Sequence, residues 1–167
     1  GGAGIGGGYA GEGSDITIKA GYVTATGGYD GAGIGGGAGG GGSKIIISNG
    51  TVTATGGDGA GDYFGGTGIG RGGYYIENEE PGSTGNQIKG SAVVFAAGGA
   101  KTDAHITGFD GGLTSCVLFE GAAGRVYDAP VISMDATIPE GKTLTIEKGQ
   151  TLTVGSGYTL TNNGVIN

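Results

Sequence analysis

The chain has 167 residues, among them 46 glycines and only three prolines, and 15 acidic against eight basic side chains give it a net charge of −7. This length suits one ordinary domain, and the shortage of proline excludes collagen and polyproline structures. The lysines and arginines occur singly, which argues against nucleic acid as a partner. No apolar stretch approaches the ~20 residues of a membrane span, so we expect no direct insertion into a membrane.

The start of the chain is organised as a glycine-rich repeat of 29 residues. The motif GAGIGGG at 2–8 recurs at 31–37, and ITIKAGYVTATGG at 16–28 aligns with IIISNGTVTATGG at 45–57. An imperfect third copy, GTGIGRG at 66–72, comes 35 residues after the second because six extra residues lie around DGAGDYF. Apolar residues alternate with a period of two, which predicts short strands and no helix. Repeat periods of this size are typical of solenoids, in which successive coils stack.

Both perfect copies of the motif contain G-x-G-x-x-G, the spacing of a dinucleotide-binding loop. Such a loop works when a glycine turn opens a helix whose amino end faces the phosphate. Here a second glycine loop and then a strand follow, so the sequence argues against phosphate binding. We expect instead that Ile5, Ile34 and Ile69 point inward and stack on one another. The surrounding glycines would let neighbouring backbones approach closely.

Residues 74–136 carry no obvious repeat. SAVVFA (91–96) and SCVLFE (115–120) predict buried strands, and YYIENEEPGSTGNQI predicts an excursion from the stack. Cys116 is the only cysteine, so no internal disulfide can form. Because it lies in an apolar run, we expect a buried free thiol.

Residues 137–167 repeat every eight residues, as in TIPEGKTL, TIEKGQTL and TVGSGYTL, and three such sides would close a coil of 24 residues. Its inward positions would be Leu144 and Ile146, Leu152 and Val154, and Leu160. Together with the repeats of about 29 residues over 1–73, this predicts one all-β domain over 1–167. The predicted fold is a single parallel β-solenoid with glycine-rich loops and strands ~4.8 Å apart.

Aromatic side chains around the third glycine-rich copy are candidates for sugar binding, because a flat ring can stack on a pyranose face. Tyr63 lies in the six-residue expansion, Tyr74 and Tyr75 follow the third copy, and Arg71 replaces a glycine of the repeat. We take these four as candidate ligand-binding residues. Adjacent residues of a strand point to opposite faces, so one ring of the Tyr74–Tyr75 pair would point into the core.

Acidic residues in the same region are candidates for Ca²⁺ binding, because loops rich in carboxylates can hold that ion. They are Asp58, Asp62, Glu77, Glu79 and Glu80. Solvated surface carboxylates are the alternative, and GGDGAGD places its aspartate one position too late for the calcium-binding nonapeptide G-G-x-G-x-D. No other cofactor is expected, because no Cys/His cluster predicts zinc and the lone His105 has no nucleophile near it in a catalytic pattern.

Threonines and strand edges suggest two further roles. Thr24 and Thr26 are expected to stack on Thr53 and Thr55, an outward array of the kind that ice-binding β-solenoids present. Only two rungs are visible, and threonine is also simply a good strand residue. Unpaired strand edges at both ends of a stack predict end-to-end self-association.

The combination AGIGGG…ITI…GTVTATGG resembles the glycine-rich repeats of large surface proteins from Gram-positive gut bacteria, and AVVFA…LFEGAAGRVY…ATIPEGKTLTIEKGQTLTV…TLTNNGVIN resembles the segment that follows such repeats. The resemblance implies a right-handed β-helix, a piece of a multidomain adhesin-like protein that is secreted or attached to the cell wall. It implies a structural and adhesive role that includes binding a glycan or host surface through the loops. Related β-helix families include pectate-lyase-like enzymes, so a carbohydrate-active enzyme is the alternative. None of their catalytic motifs maps onto a residue here.

Overall fold

The computed structural model describes all 167 residues and contains short β-strands but no helix. No helix long and apolar enough to cross a membrane is present. The predicted all-β class is confirmed. The strands pair in six sheets, and all pairs except one run parallel.

The strands of the glycine-rich repeats and of the segment after them are β1 (Ile5–Gly6), β2 (Gly13–Ser14), β3 (Thr17–Ile18), β4 (Tyr22–Thr26), β5 (Ile34–Gly35), β6 (Gly42–Ser43), β7 (Ile46–Ile47), β8 (Thr51–Thr55), β9 (Ile69–Gly70), β10 (Gln87–Ile88), β11 (Val93–Ala97) and β12 (Cys116–Glu120). Those of the remainder are β13 (Ala123–Tyr127), β14 (Val131–Ile132), β15 (Ala136–Ile138), β16 (Thr143–Thr145), β17 (Thr153–Val154), β18 (Leu160–Asn162) and β19 (Val165–Ile166).

The 29-residue repeat appears directly as strand register. β1, β5 and β9 form one parallel sheet in which Ile5 pairs with Ile34 and Ile34 with Ile69. β3, β7 and β10 form a second parallel sheet, β2 and β6 a third, and β4, β8 and β11 lie side by side in a fourth. The predicted stacking of the three isoleucines is therefore confirmed, and Ile34 and Ile69 are fully buried.

The glycines of the motif are required by the close approach of stacked backbones. Gly35 has a φ of +136°, a backbone conformation that residues other than glycine rarely adopt. A Cβ built on Gly35 or on Gly42 would overlap the carbonyl oxygen of Gly70 in the next repeat. The G-x-G-x-x-G spacing thus serves packing, and no helix follows it, as the sequence predicted.

The chain reverses direction between β12 and β13. These two strands pair antiparallel, and Gly121, with a φ of +59°, begins the two-residue loop between Glu120 and Ala123. Glycine at that first loop position is what a type II′ hairpin requires. Beyond the hairpin the chain returns to parallel pairing, as β13–β16–β19, β14–β17 and β15–β18. The seven-stranded sheet therefore has the order β19-β16-β13-β12-β11-β8-β4.

Two hydrophobic cores lie on opposite faces of this seven-stranded sheet. Val94 and Leu118 belong to the first core, with the isoleucines of the repeats, whereas Phe95 and Phe119 belong to the second, with Ile138 and Leu144. Successive strand residues point to opposite faces, so the sheet changes its covered face where the chain reverses. The single solenoid with one core that the sequence predicted is not what the structure shows, because one hairpin divides the chain between two cores.

The eight-residue repeat of the last segment is confirmed in part. Leu144 is fully buried, and Ile146, Leu152 and Leu160 pack against the second core. Val154 was expected to point inward but is 39% exposed. Its strand, β17, is the last of a two-stranded sheet, so no further strand covers it.

Candidate functional site

A cleft of about 370 Å³ lies where the glycine-rich loops of successive repeats meet. Its base is built from stacked loop backbones, with the Ala10 N–H donating to the Ala38 carbonyl at 2.8 Å and the Gly39 N–H to the Gly73 carbonyl at 2.7 Å. Besides small residues and Pro81, the side chains that line it are Tyr9, Asp30, Tyr63, Tyr74, Tyr75, Asn78 and Glu79. We call this the loop-edge cleft. It contains three of the four residues expected to bind ligand.

Two insertions of the third repeat position the aromatic residues of the cleft. The first is the six-residue expansion around DGAGDYF, and the second is the excursion YYIENEEPGSTGNQI. Tyr63, from the first insertion, and Tyr75, from the second, form an antiparallel backbone bridge, and their rings meet edge to face with centroids 5.2 Å apart. The rings of Phe64 and Tyr74 also pack together, with centroids 5.0 Å apart and their planes tilted by 31°. Tyr9, from the first repeat, is 81% exposed, so its ring is free to contact a ligand.

Arg71, the fourth candidate ligand-binding residue, lies behind the cleft and is fully buried. Its Nε donates to Oε1 of Glu80 at 2.6 Å, its second terminal nitrogen donates to Oδ1 of Asp103, and its guanidinium carbon lies 4.8 Å from the centroid of the Tyr74 ring. The side chain therefore connects the second insertion to the loop that contains Asp103. A ligand would have to displace one of these carboxylates before it could reach the guanidinium.

Tyr74 is held in its neutral form by this environment. Burial raises the pKa of its phenol, and the neighbouring Asp103 carboxylate raises it further, with Arg71 opposing in part. A hydrogen bond to the Asp103 carboxylate raises the pKa as well, so the hydroxyl keeps its proton at neutral pH and a ligand would compete with Asp103 for it.

Asp30 was missed by the sequence analysis, although it lies in the wall of the cleft. Only 5% of the residue is exposed, and its Oδ1 is buried without a hydrogen-bond partner. Burial raises the pKa of this carboxyl, and the amino group of the chain lowers it in part. A signal was present in the repeat, because the residue before the motif is glycine in the first and third copies, Gly1 and Gly65, and aspartate only in the second.

The five carboxylates considered for calcium are not gathered at one point. Asp58 accepts a hydrogen bond from the Ala100 N–H at 2.7 Å, Glu80 pairs with Arg71, and Glu79 lines the loop-edge cleft. Asp62 lies beside a neighbouring hollow, and Glu77 is exposed. No group of three or more acidic, histidine or cysteine side chains is placed to hold a metal ion. Calcium binding by these residues stays a prediction.

A second, larger groove of about 490 Å³ lies between the seven-stranded sheet and the segment around Asp135. Tyr22 is exposed and donates from its hydroxyl to the Asp135 carbonyl at 2.9 Å. Thr53 and Thr55 line the groove beside Phe95.

The threonine array pairs as predicted, with Thr24 beside Thr53 and Thr26 beside Thr55. Phe95 and Ala97 occupy the next strand, so the array ends after two rungs.

The remaining polar candidates serve structure. His105 accepts a hydrogen bond at Nδ1 from the Gly98 N–H at 3.0 Å. Cys116 is fully buried as predicted, and burial raises the pKa of its thiol to about 12.

Comparisons of the chain with models of known protein families, with curated proteins and with solved structures found no match. The functional assignment therefore rests on the geometry. The loop-edge cleft offers aromatic faces, a neutral phenol donor, an amide and two carboxylates. Flat polar molecules with hydroxyl groups fit this chemistry, because aromatic and hydrogen-bonding groups converge on one concave surface.

Proposed function

We propose that this chain is a structural and adhesive module of a bacterial surface or secreted protein, acts outside the cell, and binds a glycan in the loop-edge cleft. The observation that carries the proposal is the convergence of Tyr9, from the first repeat, and of Tyr63, Tyr74 and Tyr75, from the third, on one concave surface. Tyrosine rings give a large rigid contact area at low cost in conformational entropy, and their hydroxyls bond to polar ligands.

The scaffold proposed for this module is a pair of short right-handed β-solenoids that share the seven-stranded sheet. Strands recur in the same order through the repeats, as β1 to β4 and then β5 to β8, which supports a coiled path for the first half. The second half repeats β13 to β15 as β16 to β18. Nearly all parallel crossovers, about 98%, are right-handed, which supports that hand for both.

The reversal at the hairpin is compatible with one hand throughout. Strand direction reverses there, while strands continue to add in the same direction along the sheet. The covered face also changes, from the side of Leu118 to the side of Phe119. Two inversions cancel, so both halves wind in the same sense and neither has to adopt the disfavoured left-handed crossover.

The charge of the cleft narrows the class of glycan. Asp30 and Glu79 line it, and no lysine, arginine or histidine does. Polyanionic sugars such as uronates and sulfated chains would be repelled, because no basic side chain lines the cleft to pair with them. Neutral or basic sugars are therefore the proposed ligands.

The enzymatic alternative needs paired carboxylates and a basic residue in an accessible groove. Glu80 and Asp103 do converge on Arg71, but all three are engaged with one another. They do not line the loop-edge cleft. This arrangement favours an ion-pair network that holds loops together, so we do not advance the enzyme as a second function.

The test is a glycan-array screen of the chain, run with Ca²⁺ and with a chelator, followed by calorimetric titration of any glycan that binds. Tyr9→Ala and Tyr75→Ala should weaken binding by at least about fivefold, because each removes an aromatic contact worth about 1 kcal/mol. Tyr158→Ala is the control, since Tyr158 is also an exposed tyrosine, at 45%, but lies outside the cleft.

Two results would decide against this proposal. Silence across the array in both conditions would reduce the module to a stiff spacer. Binding that Tyr158→Ala weakens and Tyr9→Ala leaves unchanged would place the glycan elsewhere. Loss of binding only with the chelator would support the predicted role of calcium.

End-to-end self-association is proposed on the two edge strands. β4 and β19 are the terminal strands of the seven-stranded sheet, and each leaves backbone groups unpaired on one side. Sedimentation velocity at increasing concentration tests this, and a concentration-independent monomer would exclude it.

A further inference from the structure

The carboxylate of Asp30 is an unusual group to bury in the wall of a cleft. The residue is 95% removed from solvent, and its Oδ1 accepts no hydrogen bond. Its backbone is fixed, because its own N–H donates to the Asp58 carbonyl at 3.3 Å and its carbonyl accepts from the Gly73 N–H at 2.5 Å. A buried carboxylate without a donor is costly, so this position favours a ligand that brings the donor.

The surroundings of Asp30 favour a positively charged donor. Tyrosine rings surround the cleft, and the negative faces of aromatic rings attract cations. Glu79 adds a second negative charge, and no basic side chain lines the cleft, although the amino group of the chain acts on Asp30 from outside it. A protonated amine would satisfy Asp30 with a charge-assisted hydrogen bond, which is stronger than one from a neutral hydroxyl.

We infer that the loop-edge cleft binds an amino sugar with a free, protonated amine, whose ammonium group donates to Asp30 while its apolar ring face lies against the tyrosines. This inference rests on the proposed glycan binding. Asn78 and Glu79 supply further polar groups on the same wall. The several hydroxyls of a hexosamine would use them, whereas the single ammonium of a lysine side chain would leave them unpaired.

The experiment compares two ligands that differ only at the amine. The chain is titrated calorimetrically with a glucosamine tetrasaccharide and with its fully N-acetylated counterpart, in moderate salt at about pH 6, where such an amine is protonated. The free amine should bind at least about tenfold more tightly, because acetylation removes the charged donor. Asp30→Asn should bring this ratio to about one.

Two controls separate a specific contact from general attraction by an acidic protein. Asp110→Asn removes the same charge from an exposed position outside the cleft and should leave the tenfold preference intact. Asp30→Asn should melt at the temperature of the unmodified chain or higher, because it replaces an unpaired buried charge by a neutral group of similar size. A loss of preference in a stable variant therefore reports the contact.

Each remaining outcome overturns a different statement. If both tetrasaccharides bind equally and Tyr9→Ala weakens both, glycan binding in the cleft is supported and recognition of the protonated amine is refuted. Binding of neither would refute the amino sugar as the ligand, and the glycan array alone would then decide whether the cleft binds any glycan. A lysine-containing peptide that binds more tightly than the amino sugar and depends on Asp30 would keep the ammonium site but refute a sugar as its ligand. An unchanged preference in Asp30→Asn would refute the role of Asp30.

Discussion

Replacing Arg71 tests whether a buried cation holds the expanded loops of the third repeat together. The side chains of its partners Glu80 and Asp103 are 53% and 43% exposed, so each charged hydrogen bond is discounted from its usual value to about 1 kcal/mol. The contact with Tyr74 adds about 1 kcal/mol, and lost packing of the buried stem adds about 1 more. Deleting the side chain also removes the cost of burying its charge, and this gain offsets part of the sum. We expect Arg71→Ala to lower the free energy of unfolding by about 3 kcal/mol.

Variants of the two carboxylates test whether the contribution of Arg71 depends on its counter-charges. Glu80→Gln or Asp103→Asn alone should cost less than about 1 kcal/mol, because the other carboxylate still neutralises the guanidinium. The double variant should cost about 3 kcal/mol, since it leaves a buried cation without a counter-charge. Urea denaturation followed by circular dichroism measures the free energy of unfolding of all four variants against the unmodified chain. A double variant that loses only the sum of two small effects would show that Arg71 does not depend on its counter-charges.

Three further predictions concern the packing of the fold. Ile34→Ala should cost about 3 kcal/mol in urea denaturation, because it empties a fully buried site, whereas Val165→Ala at an exposed site should cost less than about 0.5. Gly35→Ala should cost at least about 3 kcal/mol or prevent folding, since its φ is +136° and a neighbouring carbonyl occupies the space for a Cβ. Gly8→Ala, which meets no atom, should change little, and equal melting temperatures for the two glycine variants would contradict this account. The buried Cys116 thiol, with its pKa of about 12, should resist a thiol-specific reagent at about pH 8 until urea unfolds the chain, and rapid labelling of the native protein would show the opposite.

The register of the repeats could be predicted from the sequence because it depends on spacing alone. Identical residues 29 positions apart pair with one another, as Val23 does with Val52 and Thr24 with Thr53. Identical residues stack in successive repeats, so the repeat length alone predicts which residues pair, without knowledge of contacts elsewhere in the fold. The need for glycine within the motif followed in the same way, since Gly6 lies against the backbone of Gly35 and Gly35 against that of Gly70.

The two cores could not be predicted from the same pattern, although the sequence contains a signal for them. The apolar residues of β11 and β12 are continuous, from Val93 to Ala97 and from Cys116 to Phe119, instead of alternating with polar ones. Continuous apolar strands indicate burial on both faces. The sequence alone did not show that the second face would be covered by residues beyond the hairpin.

The candidate site was predicted in part for a related reason. Tyr63, Tyr74 and Tyr75 were identifiable because they lie in insertions that break the repeat. The role of Arg71 was not, because its partner Asp103 is 32 residues away and no spacing rule connects them. Asp30 differed in the sequence only by replacing the glycine found in the other two copies, and its burial depends on loops from other repeats.

The antiparallel hairpin of β12 and β13 also has a consequence for the order of folding. Its strands join residues as close in the chain as Glu120 and Ala123, whereas all the parallel strand pairs join residues about twenty or more apart, such as Ala123 and Thr143. Closing a short loop costs the least entropy, so we expect this hairpin to form before its neighbours. It then presents Leu118 on one face and Phe119 on the other, so a single early structure can nucleate both halves of the molecule.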